Sequence, residues 1–143
     1  MNNTPTTWKQ LVTMITNKDF GKLKREAGIQ NKYQQFMRHT SEADLSHIIF
    51  NTPLSNEQFD MNQEWLSNRV SVFRPNDFPY HVEPGIFHDV LWSNHPLDSD
   101  TVQELVNVKM NQLCRTKFIY FENPDQLKTV PGLFHVHVFS RAD

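Results

Sequence analysis

Apolar residues recur at helical spacing through the first third of the chain. Trp8, Leu11, Val12 and Ile15 follow Thr7, whose hydroxyl suits the free N–H groups of a first turn, so a helix is predicted from Trp8 behind a loose polar tail at residues 1–6. Asp19–Arg25 predicts a short second helix with Phe20 and Leu23 inward and Gly28 as its breaker. Gln30–His39 places Tyr33, Phe36 and Met37 on one side of a third. Ser41 caps a fourth, Glu42–Phe50, whose inward residues are Leu45, Ile48 and Ile49 and which Pro53 ends.

From about residue 69 the period shortens to two. Val70, Val72 and Phe73, then Ile86–Trp92, Phe118–Phe121 and Phe134–Phe139 are β-branched or aromatic runs bounded by Pro, Gly and Asn, and predict four strands. Between the second and third, Asp98–Cys114 carries Val102, Leu105, Val106 and Met110 at helical spacing, with Asp98, Asp100 and Glu104 near the positive end of the helix dipole. The expected class is α+β: a helical part at 7–68 packed on a small, mostly antiparallel sheet at 69–143 with one inserted helix. Neither half has a core of its own, so 1–143 is expected to form one domain.

Composition adds limits. A chain of 143 residues, 38% hydrophobic and 12% aromatic, can bury a core without staples. Fourteen Lys plus Arg against sixteen Asp plus Glu give a net charge of −2, which argues against coating duplex DNA but leaves a single nucleotide or an RNA end open. The one cysteine, Cys114, has no partner for an internal disulfide and is expected to close its helix as a buried, inert residue. Neither a leader-like start nor an apolar run of about 20 residues is visible, so a reduced cytoplasmic or nuclear protein without a membrane partner is expected.

The candidate chemistry centres on His135-Val136-His137-Val138-Phe139. On a strand His135, His137 and Phe139 share one face and the valines take the other, which sets the two imidazoles roughly 7 Å apart at their bases. Such a pair suits phosphate oxygens or a metal; equally, it suits an exposed strand face where histidine is tolerated. The preceding loop brings Asn123, Lys128 and Thr129, a set of groups that can hold an anion, or else an ordinary hairpin loop with a solvated Lys128. Upstream, Arg74–Ser93 sets Asn76, Asp77, Phe78, Tyr80, Glu83, His88 and Trp92 along a path fixed by prolines, a composition suited to ligand recognition. Alternation puts His88, Val90 and Trp92 on one face and Phe87, Asp89 and Leu91 on the other. His88, His135 and His137 together are an alternative open zinc site, although no recognised metal, phosphate-loop or nucleophile motif is present and no cofactor is expected.

These residues also carry two resemblances. Trp8 with Leu11 and Ile15, Leu23 with Arg25 and Tyr33, Pro75–Tyr80, Gly85–His88, Trp92-Ser93, Asn123-Pro124, Lys128–Pro131 and His135–Val138 resemble an uncharacterised family of fungi, protists and large DNA viruses that includes N-acetylglucosamine-induced protein. More distantly, the order of strand, helix, strand, polar loop and His-x-His is similar to the histidine triad (HIT) nucleotide-binding superfamily. That resemblance implies phosphate contacts at Asn123, Lys128, Thr129 and His135 and a nucleophile at His137. Phe139 stands at the third triad position and cannot donate a hydrogen bond, which favours binding over hydrolysis.

The expected function is binding of a nucleotide or an RNA 5′ end, with an mRNA cap as a specific variant and aromatic stacking of the base. Three alternatives stand beside it. One is a HIT-like nucleotide hydrolase or transferase, degenerate in its triad. Another is a metal-dependent small-molecule enzyme or sensor. The last is a protein-interaction module acting through helices 7–50.

Overall fold

The computed structural model describes residues 4–50, 70–124, 127 and 133–142. The fold is α+β: helices packed on a four-stranded antiparallel sheet. Pro53, the expected end of the fourth helix, and residues 51–68 of the expected helical part lie outside the described residues.

Helix α1 spans Trp8–Thr16 and starts as its sequence predicts. The Thr7 hydroxyl accepts from the Gln10 N–H and the Gln10 carboxamide accepts from the Thr7 N–H, a reciprocal cap that satisfies two otherwise orphaned donors. The tail before it is shorter than expected. Thr6 forms a parallel bridge with Val82, donating to the His81 carbonyl and accepting from the Glu83 N–H.

The second helix of the sequence reading shrinks to a 3-10 turn at Phe20–Lys22. The chain then straightens at Leu23 (φ −78°, ψ 119°), which buries that side chain and lets the Lys24 carbonyl accept from the His81 N–H. Helix α2 consequently begins at Ala27 and runs to Arg38. Gly28 falls inside its first turn with open space around its α-carbon and breaks nothing. Helix α3, Glu42–Phe50, is capped by Ser41, whose hydroxyl accepts from the Asp44 N–H.

Strands β1 (Ser71–Pro75), β2 (Phe87–Ser93), β3 (Lys117–Phe121) and β4 (Phe134–Arg141) form the sheet in the order β1-β2-β4-β3. Helix α4, Ser99–Gln112, joins β2 to β3 and covers one face, packing Val102, Val106 and Met110 on Leu91, Val136 and Val138. Asp98 caps it, accepting from the Thr101 N–H at 2.7 Å. At its other end Arg115 and Cys114 donate back to Met110 and Asn111, with Cys114 left-handed at φ 56°. This closure turns the Cys114 side chain outward, so the thiol is exposed and not buried as expected. Just beyond, Arg115 pairs with buried Asp89 at 2.8 Å and lies 3.6 Å over the Phe87 ring.

The other face is covered by the N-terminal helices in two clusters. Leu11, Ile15 and Leu23 pack on Phe121 and Phe139 at one end, and Leu45, Ile49 and Phe50 pack near Val72 and Trp92 at the other. The apolar sides of α1 and α3 are thus largely used within the chain, although Ile48, expected inward, stays exposed because α3 turns Leu45, Ile49 and Phe50 to the sheet. Between the clusters runs the strip of β2 and β4 that carries the histidines, with Val90 opposite His137, His88 opposite Phe139 and Trp92 opposite His135. Among the described residues no helix is long and apolar enough to cross a membrane.

Leu11 is fully buried in the cluster that fixes α1 to the sheet. Leu11→Ala should cost about 2–5 kcal/mol, measured as a lower urea midpoint at unchanged slope. A loss below about 1 kcal/mol would show that α1 contributes little to the core.

Candidate functional site

Strand alternation places His135, His137 and Phe139 on one face, and the helical layer then buries that face. His135 and His137 are each 5% exposed, His88 is 6% exposed and Phe139 is completely enclosed. The tolerated-surface reading of the histidine pair therefore fails. Phe139 is core, stacked on His88 at 4.2 Å and packed beside Phe121.

Over this strip lies a cavity of about 450 Å³. Its floor is Val90, Trp92, His135 and His137 from the sheet, with Asn123 just after β3. Its walls are α3 and the segment after β1, and α2 lies across it with Tyr33, Phe36 and Met37 facing in. None of the α2 residues is fully buried. Its rings meet Phe78 instead, Tyr33 edge-on at 5.4 Å and Phe36 tilted at 5.3 Å.

Asn76 shapes the segment after β1. Its side-chain oxygen accepts from the Phe78 N–H at 2.8 Å, and its backbone N–H donates to the His88 carbonyl at 3.0 Å. This local turn aims Phe78 at the cavity. Two residues on, the Tyr80 N–H donates to His88 Nδ1 at 3.1 Å. His88 Nε2 is 3.0 Å from His137 Nδ1, and the Asn123 carboxamide is 3.4 Å from His137 Nε2. The Tyr80 ring stacks on His137 from one side and Phe121 from another, at 5.5 and 5.2 Å. His135 bonds through Nδ1 to the Leu133 carbonyl at 2.8 Å and tilts against Trp92.

Burial, reinforced by His137 and Arg25 nearby, holds the His88 imidazole well below its ordinary range. Burial, with His135 and Arg25, pushes His137 down to about 3. Both rings are therefore neutral at physiological pH. Burial likewise raises the Tyr80 phenol, against the opposing pull of Arg25.

Among the described residues, the cation held against the cavity's rings is Arg25, which sequence reasoning missed as a site residue. Its Nε donates to the Phe78 carbonyl at 2.6 Å and its Nη1 to the Gln30 carboxamide at 3.3 Å. The guanidinium lies 4.0 Å over the Tyr33 ring and 5.0 Å from that of Tyr80. Among the described residues no carboxylate pairs with it. In sequence it sits in Lys22-Leu-Lys-Arg-Glu26, which has the look of a solvated charge run; only the partner at Phe78, 53 positions away, reveals its role.

Of the residues singled out from sequence, Asn76, Asp77, Phe78, Tyr80, Trp92, Asn123, His135 and His137 line the cavity, and His88 lies beneath it against His137. Asp77 is at the rim, paired with Arg74 at 3.4 Å. Glu83 is not in the site: its carboxylate accepts from the Trp8 N–H at 2.8 Å and faces Arg141, which makes it an anchor for α1. Lys128 and Thr129 lie outside the described residues. The zinc alternative loses its geometry, since His88 and His137 use facing nitrogens on each other and His135 spends Nδ1 on a carbonyl. Among the described residues no group of three His, Cys, Asp or Glu side chains is placed to hold a metal ion.

Neutral buried histidines make stability depend on pH. The unfolded chain binds protons on these two rings near pH 6.5, whereas the folded chain binds them only at much lower pH. Stability should therefore be full above pH 6.5 and decline as pH falls from 6.5 toward 3, with a slope approaching about 1.4 kcal/mol per pH unit for each ring. Urea midpoints between pH 7 and pH 5 check this, and a His88→Gln, His137→Gln double variant should show a shallower decline. An equal slope in the double variant would place the protons elsewhere.

The fold has a counterpart among solved structures. The crystal structure of a protein named HTC1 matches with a TM-score of 0.61 and 23% identity, covering 95% of this chain and 85% of that one, and shares the fold. The uncharacterised protein YPL067C of Saccharomyces cerevisiae is 26% identical over an aligned length of 151 residues, 92% of this chain and 76% of its own. The model of the family of proteins of unknown function DUF3605 matches residues 7–141, a span that includes every described residue lining the cavity, and the chain belongs to that family.

Proposed function

We propose that the cavity binds a nucleotide, free or as the first residue of an RNA 5′ end. The observation that carries this is Arg25: a half-buried guanidinium, held by a carbonyl and two rings, inside an aromatic cavity and without an acidic partner among the described residues. A buried charge favours a counter-charge, and guanidinium geometry suits a phosphate. Among the described residues the lining has Lys24, Arg25 and Arg74 against Asp77, a balance that favours anions although the chain is net negative.

Size and surface agree with one nucleotide unit. About 450 Å³ lies in the ordinary range for small-ligand sites. Phe36, Phe78, Tyr33 and Trp92 offer ring faces to a base, each stacking contact being worth roughly 1–3 kcal/mol. The polar floor of Asn123, His135 and His137 lies where the HIT resemblance puts phosphate, while Phe139 replaces the third ligand with core. The cap variant is less well supported: Asp77 is engaged by Arg74 and Glu83 is outside the cavity, so a positively charged methylated base meets a surplus of cations. Ligands of this kind are consistent with action in the cytoplasm or nucleus.

Thermal shift and calorimetric titration with nucleoside monophosphates and a methylated cap analogue, at one fixed salt concentration, test the proposal, because a ligand of the native state raises the melting temperature. A monophosphate should bind better than the cap analogue. Arg25→Gln should weaken it about 10- to 100-fold, the loss of one or two charged hydrogen bonds, while stability changes by about 1 kcal/mol or less. Undiminished binding by Arg25→Gln, or no shift with any nucleotide at millimolar concentration, would overturn it.

A further inference from the structure

Taking the cavity as an anion site, as proposed above, we infer that His88 is a positioning residue that fixes the proton of His137 on Nε2, so that His137 offers an N–H to the ligand and the lone pair of the His-x-His pair belongs to His135 Nε2.

The chain of partners leaves little choice. A backbone amide only donates, so the Tyr80 N–H requires a lone pair on His88 Nδ1. A neutral His88 then carries its proton on Nε2. That N–H faces His137 Nδ1 at 3.0 Å, which must accept, and the one proton of His137 is left on Nε2. The Asn76 carboxamide nitrogen, 3.4 Å from His88 Nε2, does not compete: its oxygen is already held by the Phe78 N–H, so nitrogen meets N–H and the approach is a contact only. The Asn123 carboxamide nitrogen, 3.4 Å from His137 Nε2, likewise meets an N–H and is a contact only, its side chain being bonded to the Tyr80 phenol, so the His137 N–H is left to face the cavity.

His135 obeys the opposite rule. The Leu133 carbonyl only accepts, so His135 Nδ1 carries a proton, and in the neutral form of this ring the lone pair is on Nε2. Two histidines one residue apart on the same face are thus set in opposite tautomers by different partners. His137 and Arg25 together present N–H groups suited to an oxyanion, such as a phosphate monoester. A nucleophilic imidazole needs its lone pair toward phosphorus, and His137 has a hydrogen there. Any base of the pair is His135.

Nitrogen-15 correlation spectra of the unliganded protein read each tautomer directly. The expected pattern is protonated Nε2 with bare Nδ1 for His88 and His137, and the reverse for His135. A proton on His137 Nδ1 overturns the inference, whatever binds. Function is then tested with adenosine 5′-monophosphate. His88→Gln keeps an amide N–H near the place of Nε2–H, whereas His88→Phe removes it. His88→Phe should release His137 into a mixture of tautomers and weaken the monophosphate at least about fivefold, and His88→Gln should restore both to within about twofold. Equal affinity in His88→Phe and the natural protein overturns the positioning role. The expected spectra without any monophosphate binding support the tautomers and overturn the nucleotide proposal instead.

Discussion

Burial of the His88–His137 pair is the constraint around which the cavity side of the sheet is arranged. An imidazole taken out of water must find partners for both ring nitrogens, and its charged form is disfavoured. His88 meets this demand with the Tyr80 amide on one side and His137 on the other, which obliges the chain after β1 to return over the sheet so that Tyr80 can donate. Asn76 makes that return tight, and the resulting path aims both Phe78 and Tyr80 inward. The polar pair thus determines where the aromatic wall stands.

A second consequence is the division of charge. With both rings neutral, the permanent positive charge that the described residues bring against the ring wall comes from Arg25, on the connection between the 3-10 turn and α2. Hydrogen-bond direction is supplied by the sheet and charge by the helical layer. The two parts of the chain meet at the cavity, and the anion site proposed there would need both.

Much of this was legible in the sequence because strands have a strict period. Alternation alone places His88, Trp92, His135 and His137 on one side and Val136 and Val138 on the other, and caps at Thr7 and Ser41 mark two helix starts, while Asp98, legible as a carboxylate at a helix start, also caps α4. What alternation cannot show is whether a face is covered, and here α1, α2 and α3 convert a polar strand face into an enclosed floor. The misplaced features have distant causes. Arg25 is defined by Phe78 and Glu83 by Trp8, 75 positions away, while the loss of the helix at Asp19–Arg25 follows from Leu23 reaching the core and Lys24 meeting His81. Cys114 is exposed because a left-handed residue closes α4, a backbone property that its apolar character conceals.

The segment from Asn76 to Glu83 has no regular secondary structure beyond one bridge, yet it is tied at intervals of one or two residues: Phe78 by Arg25, Tyr80 by His88, and His81 and Glu83 by Thr6. These ties come from three separate parts of the chain. A loop held this way has already surrendered its conformational freedom on folding, so its rings do not lose it again when a partner arrives. For a ligand of the kind proposed, little affinity would be lost to ordering this wall, and because Thr6 holds His81 and Glu83 through main-chain groups, removing residue 6 and not merely changing its side chain would reintroduce that entropy.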